Sequence, residues 1–444
     1  MPRAGTNLDT PAQPTMAEPR NYFPFTKIIE RPWFVVAACA ICTVYVLQAA
    51  TPLRLDDDAV DYLRMAAALA DGRPVPSVPV PIGYPVFLSL IDRAGLGASF
   101  FFVLANCFSL AIGLVSAWKI LGDKPAAARW CAVFFTLLAI PTIKSVAIAL
   151  PDAAFFGLSL LALWTTSAGR RANGARAVWL FGAALAITAV ATSMRLIGVT
   201  LLPALVWSAV YRPSEPGSDK QRPRLSVVWV VLIGITLAAL LIAVARSYAF
   251  PVYAAWTRTY YSHGSIAVQL AKRAASMAKS WGEIVLNLPF SRFRDWGGFF
   301  TAAGVASGFV AILMMRRVGA LSPSRVYMLT YLVVLAIWPQ PSPRLWMPII
   351  PLIAGEIAFA IARRQRARWS TVLAGAYAGW FVLVGLAALA YSSRITFSGN
   401  DFARVYGRNG GLASPGFAER DDKSIHGRRY NEEAQKLLER YGRR

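Results

Sequence analysis

Apolar residues run in stretches of about membrane-span length along nearly the whole chain, separated by short polar loops. A transmembrane helix needs about 20 largely apolar residues, and no strand-like alternation competes with these runs. Stretches at approximately 33–51, 97–121, 126–142, 152–169, 177–193, 196–210, 226–249, 298–315, 326–338, 345–362 and 370–391 predict an all-α polytopic membrane protein. The expected number of transmembrane helices is about 11. Residues 1–32 are polar and proline-rich and read as a disordered cytoplasmic tail. The first apolar run starts too far in for an ordinary cleaved signal and reads as a retained anchor.

A second pattern lies between the spans. In Ser265–Leu288 the apolar positions Ile266, Leu270, Met277, Trp281, Ile284 and Leu288 share one helical face, with Lys272, Arg273 and Lys279 on polar positions. This predicts an amphipathic helix in the membrane interface. Tyr253, Trp256, Tyr260 and Tyr261 precede it like an interfacial aromatic belt. A shorter amphipathic helix is expected after the first span, and a soluble helix near Tyr430–Tyr441.

Charge gives the spans a direction. The chain of 444 residues carries 46 Lys plus Arg against 23 Asp plus Glu, a net charge of +23. The cations cluster in short loops: Arg170, Arg171 and Arg176; Arg212, Lys220, Arg222 and Arg224; Arg316, Arg317 and Arg325; Arg363, Arg364, Arg366 and Arg368. Eleven spans with the N-terminus inside put all four clusters in the cytoplasm, as the positive-inside rule requires. That distribution points to membrane lipids and not to nucleic acid. It leaves residues 52–96, residues 250–297 and the tail 392–444 on the outer face, around a transmembrane domain of residues 33–391. The four cysteines all fall in apolar runs and read as core hydrophobes, and the two histidines are far apart, so no His-based zinc motif exists.

Four of the scarce acidic residues crowd the mouth of the first span, at Asp56, Asp57, Asp58 and Asp61. One or two of them account for a helix N-cap. Packed carboxylates repel one another, so the others call for a cation, a substrate or a proton transfer. A general base, a metal ligand set and an ion-coupling site are all open, although transporter sites usually sit near the bilayer midplane. Downstream, Pro81-Ile82-Gly83-Tyr84-Pro85 makes an irregular return to the membrane, either a simple turn or the wall of a substrate groove.

The run from Asp58 through Tyr62, Ala66, Leu69 and Gly72 to Pro81-Ile82-Gly83-Tyr84-Pro85 resembles the first outer loop of GT-C membrane glycosyltransferases, most of all the protein O-mannosyltransferase and aminoarabinose-transferase group. Leu150-Pro151-Asp152, Met194-Arg195-Leu196-Ile197-Gly198 with Pro203, and Ser342-Pro343-Arg344-Leu345-Trp346-Met347-Pro348 with Pro351 resemble further segments of that family, in the same order. Two departures stand out. Asp58 is followed by Ala59 where many members have Asp-Glu, and the large soluble outer domain of some members has no counterpart but the short tail.

The resemblance implies a GT-C-like fold and transfer of a sugar from a polyprenyl-phosphate donor to a glycolipid, polysaccharide or protein acceptor on the outer face of a bacterial inner membrane. The reaction would be a single inverting displacement. It implies Asp58 as general base, with Asp57, Asp61 and Asp152 as supporting acidic residues. Arg195 and Arg344 would bind the donor phosphate, with Lys144, Arg64 and Arg73 as weaker alternatives, and Tyr62 and Tyr84 would line the substrate groove. No metal ligand set is assigned, although a divalent ion stays open as a cofactor. The competing readings are a transporter or lipid flippase using the same Asp and Arg groups, and a noncatalytic subunit on a GT-C-like scaffold.

Overall fold

The computed structural model describes residues 32–50, 53–76, 80–211, 254–255, 257–258, 261–262, 265–315, 321–338, 342–363, 368–397 and 425–442. The described residues form helices and connecting turns, with no strand among them. In chain order the helices that matter are α1 (Trp33–Leu47), α2 (Asp57–Ala70), α3 (Gly83–Ile91), α4 (Ser99–Ile120), α5 (Ala126–Leu137), α6 (Ile140–Val146), α7 (Pro151–Arg171) and α8 (Gly174–Met194). They continue with α9 (Leu201–Val210), α10 (Ile266–Leu286), α11 (Gly297–Met315), α12 (Pro323–Ile337), α13 (Ile350–Arg363), α14 (Arg368–Phe397) and α15 (Ile425–Tyr441).

Every expected span within the described residues coincides with helix, but the count of eleven is not confirmed. Among the described residues five helices are long and apolar enough to cross a bilayer: Trp33–Ala50, Ser99–Ile120, Gly174–Met194, Arg294–Met314 and Val372–Arg394. The pair α5 and α6, bent by 54° at its break, brings the number to six if it forms one span. These helices make the chain an integral membrane protein. The expected span at 226–249, the loop clusters around Arg212–Arg224 and at Arg316 and Arg317, and Tyr253, Trp256 and Tyr260 lie outside the described residues.

The helix α7, at the expected span 152–169, is not among those five. It carries Asp152, Ser159, Thr165 and Thr166, yet all four are buried. It packs between α4, α8 and α9, so little of it meets the surroundings of the bundle. Thr165 and Thr166 return their hydroxyls to the carbonyls of Leu161 and Ala162, at 2.8 and 2.7 Å, which satisfies them within the helix. A helix enclosed by protein does not need the apolar surface of one facing lipid.

The bundle core joins Tyr45, Leu137, Phe155, Phe156, Tyr327, Tyr331 and Met347. The break between α5 and α6 is held by Asn287, the C-cap of α10, in the left-handed conformation (φ 55°). Its amide is fully buried. Oδ1 accepts from Ile140 N at 3.0 Å, and Nδ2 donates to Leu138 O at 2.9 Å and Phe381 O at 3.2 Å. One side chain thus fills the backbone vacancies left by the bend and ties α10 and α14 to it.

The helix α10 forms where an amphipathic helix was expected, with a different set of positions buried. Its buried positions include Gln269, Arg273, Ser280 and Glu283, while Ile266, Val268 and Leu270 are exposed. The polar side packs on protein: Arg273 donates to Trp338 O at 3.1 Å, and Ser280 receives Trp346 Nε1 at 3.2 Å. The exposed apolar flank near its start is the part free to meet lipid.

A second, smaller core gathers the first loop. Leu53, Leu55, Ala59, Val60, Leu63 and Ala66 pack with Leu88, Phe102 and Ile148, and also with Ala434, Leu437 and Tyr441 of α15. The C-terminal helix is therefore docked against α2 and is not a loose end.

Candidate active site

The acidic run folds as a helix start. Asp56 is extended (φ −111°, ψ 176°), and its Oδ1 accepts from Ala59 N at 2.8 Å. This is the N-cap that the sequence offers at that point. With Asp56 fixed as the cap, Asp58 lies in the first turn of α2.

Arg344 reaches both residues across the fold. Its NH1 meets Asp56 Oδ2 at 3.2 Å, and its NH2 meets Asp58 Oδ2 at 2.7 Å. Arg344 belongs to a short 3-10 turn, Pro343–Trp346, whose Leu345, Trp346 and following Met347 are buried. Those apolar neighbours anchor the turn, so the guanidinium is aimed by packing and not by solvent contacts. The Asp58 side chain keeps 50% of its surface and that of Arg344 25%, so the pair opens to an incoming molecule.

Next to it lies a second pair. Asp152, at the N-terminus of α7, is 2% exposed and receives Arg195 NH2 at 2.8 Å. Arg195 is the C-cap of α8 in extended backbone. The antiparallel run of α7 and α8 brings the start of one beside the end of the other. Asp152 interacts electrostatically with Arg344 and Asp56 as well as with Arg195, which links the two pairs in one network. Asp56 keeps about a third of its side-chain surface yet is densely surrounded by protein. Loss of hydration pushes its carboxyl up to about 6, Arg344 pulling it down and Asp58 pushing it further up.

Gly83 explains the proline-rich return. A Cβ there would lie 2.3 Å from Ser193 Oγ and 2.5 and 2.6 Å from Ser193 C and O. Only glycine lets the start of α3 press on the backbone at the end of α8, two residues before Arg195. The neighbouring Tyr84 is fully buried and Tyr62 is 5% exposed. Their rings meet edge-on at 90° with centroids 5.4 Å apart. Both were expected to line a groove; their buried rings pack against each other, Tyr62 on α2 itself and Tyr84 at the start of α3.

Asp61 is half-buried on α2, one turn before Arg64. Of Asp57 only the backbone is described. Lys144 pairs with the buried Glu283 at 3.7 Å, and Arg64 with Glu433. Among the described residues no group of three or more His, Cys, Asp or Glu side chains is arranged to hold a metal ion. Asp56 and Asp58 converge on one guanidinium and Asp152 on another, so the donors do not meet at a common point. Sequence reasoning missed the partnership of Arg344 with Asp56 and Asp58; no local signal connects residues nearly 300 positions apart.

No family model matches the chain, and no curated protein does. Similar solved structures include ArnT from Cupriavidus metallidurans bound to undecaprenyl phosphate, with 16% identity, covering 92% of this chain and 69% of that one at a TM-score of 0.49. The Archaeoglobus fulgidus oligosaccharyltransferase tethered with an acceptor peptide has 11% identity, covering 92% of this chain and 59% of that one at a TM-score of 0.48. The arabinofuranosyltransferase AftD from Mycobacteria has 16% identity, covering 83% of this chain and 27% of that one at 0.34. All three are GT-C glycosyltransferases, the class that the loop motifs resemble. At these identities and TM-scores the likeness carries no argument about this chain.

Proposed function

We propose that this chain is a membrane glycosyltransferase that moves a sugar from a polyprenyl-phosphate donor to an acceptor hydroxyl on the outer face of a bacterial inner membrane, with inversion. In this reading residues 1–32 are a cytoplasmic tail, 33–391 the GT-C-like domain of about 11 spans, and 392–444 an outer-face tail. The observation that carries it is Arg344 bridging Asp56 and Asp58, with Arg195 and Asp152 beside it.

The chemistry follows from that arrangement. The acceptor hydroxyl attacks the anomeric carbon while Asp58 takes its proton. The bond from the anomeric carbon to the phosphate oxygen breaks, and the phosphate leaves with the electron pair. Before reaction Arg344 is divided between two carboxylates. Protonation of Asp58 cancels one of them as the phosphate gains charge, so the guanidinium becomes available when it is needed. Asp56 keeps its hold on Arg344 and on the α2 backbone, and so orients both. Arg195, neutralised by the buried Asp152, braces the site and adds a weaker field at the phosphate.

The test is donor use in proteoliposomes supplied with labelled polyprenyl-phosphate sugars and a membrane extract as acceptor. Arg344→Ala should raise the donor KM about tenfold or more, and Arg195→Ala should raise it less. Unchanged donor KM in both variants would remove the phosphate role from these arginines.

A further inference from the structure

The helices α4 and α7 meet along one stripe of α4, where Asn106, Ser109, Leu110 and Gly113 recur at helical spacing. Gly113 leaves room for the Phe156 ring. Gly157 lets α7 lie on the Ser109 carbonyl, which a Cβ would approach to 2.5 Å. These contacts set the two helix axes. Asn106 stands at the N-terminal end of the stripe and meets the link between α6 and α7.

Residues Ala147, Ile148, Ala149 and Leu150 of that link are all buried, so their backbone groups need partners within the protein. Leu150 N donates to Ile148 O at 2.8 Å. Asn106, 1% exposed, supplies two more bonds from one amide: Nδ2 donates to Val146 O at 3.2 Å and to Ile148 O at 2.8 Å. The Tyr84 hydroxyl lies beside the same amide. It and Asn106 Oδ1 are buried, and neither has any other partner among the described residues, so each is available to the other.

The pinned link leads into the site. Leu150 caps α7 in extended backbone, Pro151 opens the helix, and Asp152 stands in its first turn, four residues after Ile148. Tyr84 makes a second connection. It follows Gly83, which presses on Ser193, two residues before Arg195. Asn106 is thus tied to both members of the Asp152–Arg195 pair, by backbone on one side and by Tyr84 on the other.

We propose that Asn106 is a positioning residue of sugar transfer, which rests on the glycosyltransferase reading. It holds the entry to α7 and the Tyr84 hydroxyl. It thereby sets the Asp152 carboxylate and, through it, the Arg195 guanidinium at the donor phosphate. An amide suits this task, with two N–H groups to give and an oxygen to receive. A carboxylate lacks the donors, and an apolar side chain leaves two buried carbonyls and a buried phenol bare. Without the amide, the contacts at Gly113 and Gly157 still hold α7 on α4. What is lost is the placing of its first turn, and a shift of about 1 Å near a reacting centre is read in the kinetics.

The test is a double-mutant cycle of Asn106→Ala and Arg195→Ala on the full-length protein in proteoliposomes. Donor and acceptor KM are measured separately, per folded molecule. Asn106→Ala should raise the donor KM about fivefold and leave the acceptor KM unchanged. In the Arg195→Ala background the same change should shift the donor KM by less than about twofold, because the group through which it acts is gone. Two results overturn the proposal: an additive cycle, or a lowered unfolding temperature with unchanged donor KM, which would make Asn106 a structural residue only. Where Asn106→Ala does not fold, Asn106→Ser, which keeps one donor, carries the same cycle under the same criteria. A wild type that transfers no sugar contradicts the glycosyltransferase reading and takes the proposal with it. An active wild type with an additive cycle overturns the proposal alone.

Discussion

Replacing Gly83 by alanine adds one methyl group where the start of α3 presses on the end of α8. The new Cβ would sit 2.5 and 2.6 Å from Ser193 C and O, which are backbone atoms and cannot rotate away. Relief requires the two helices to part by about 1 Å, since carbon contacts settle at roughly 3.5–4.0 Å. Overpacking of this kind costs about 1–3 kcal/mol. The opposing gain from helix propensity, up to about 1 kcal/mol in a helix interior, is smaller at the first residue of α3. The steric cost wins. Arg195 follows Ser193 by two residues, so the same displacement shifts the guanidinium beside Asp152. A misplacement of about 1 Å can cost about 100-fold in rate. The assay is paired: thermal unfolding in detergent and sugar transfer in proteoliposomes, for Gly83→Ala and for Ser193→Ala. Ser193→Ala removes the Oγ but not the backbone contact, and should behave as wild type. A Gly83→Ala protein with wild-type midpoint and rate would refute the close-approach argument.

Two further outcomes follow from the charged groups. The Asp56 carboxyl, raised to about 6, binds its proton more tightly in the folded protein than in the unfolded chain, so the stability that it contributes falls as pH rises from about 4 to about 6. Unfolding midpoints measured across that window should decline for wild type relative to Asp56→Asn, and the wild-type transfer rate should climb through pH 6 as Asp56 ionises; parallel profiles in the two proteins would contradict this. At Glu356, Lys124 Nζ at 3.0 Å and Arg325 NH2 at 2.9 Å meet a carboxylate whose side chain is 3% exposed. Glu356→Gln removes the buried anion that meets Lys124 and Arg325 and should cost about 3–5 kcal/mol, seen as loss of the monodisperse peak on size-exclusion chromatography after mild heating.

Much of this was legible along the chain because it is local. The helix positions follow from apolar runs, and an acidic N-cap follows from the Asp run before an amphipathic turn, although only the structure singles out Asp56. The Gly-Tyr-Pro segment stood out as an irregular return. Its reason did not, because the crowding at Gly83 comes from Ser193, more than a hundred residues on. The number of spans was less legible. The stretch at 152–169 was read as a span, and α7 forms there, but it is covered by protein and carries buried polar residues, so it is not among the helices apolar enough to cross a bilayer. Asn287 was invisible for a related reason. A left-handed asparagine after a helix is an ordinary C-cap, and only the bend between α5 and α6 gives its amide three backbone partners. The tail was read as a helix, but its docking depends on Arg440 meeting Asp71 and Asp92, which no spacing rule connects.

The central claim is that Asp58, paired with Arg344, takes the acceptor proton in sugar transfer. The direct measurement is single-turnover transfer from a polyprenyl-phosphate sugar by wild type and Asp58→Asn, with the anomeric configuration of the product determined by NMR. Wild type should give the inverted product, and Asp58→Asn should lose about 100-fold or more in rate with donor binding retained. A folded Asp58→Asn protein that transfers sugar at the wild-type rate, or a wild-type product with retained configuration, would contradict the account.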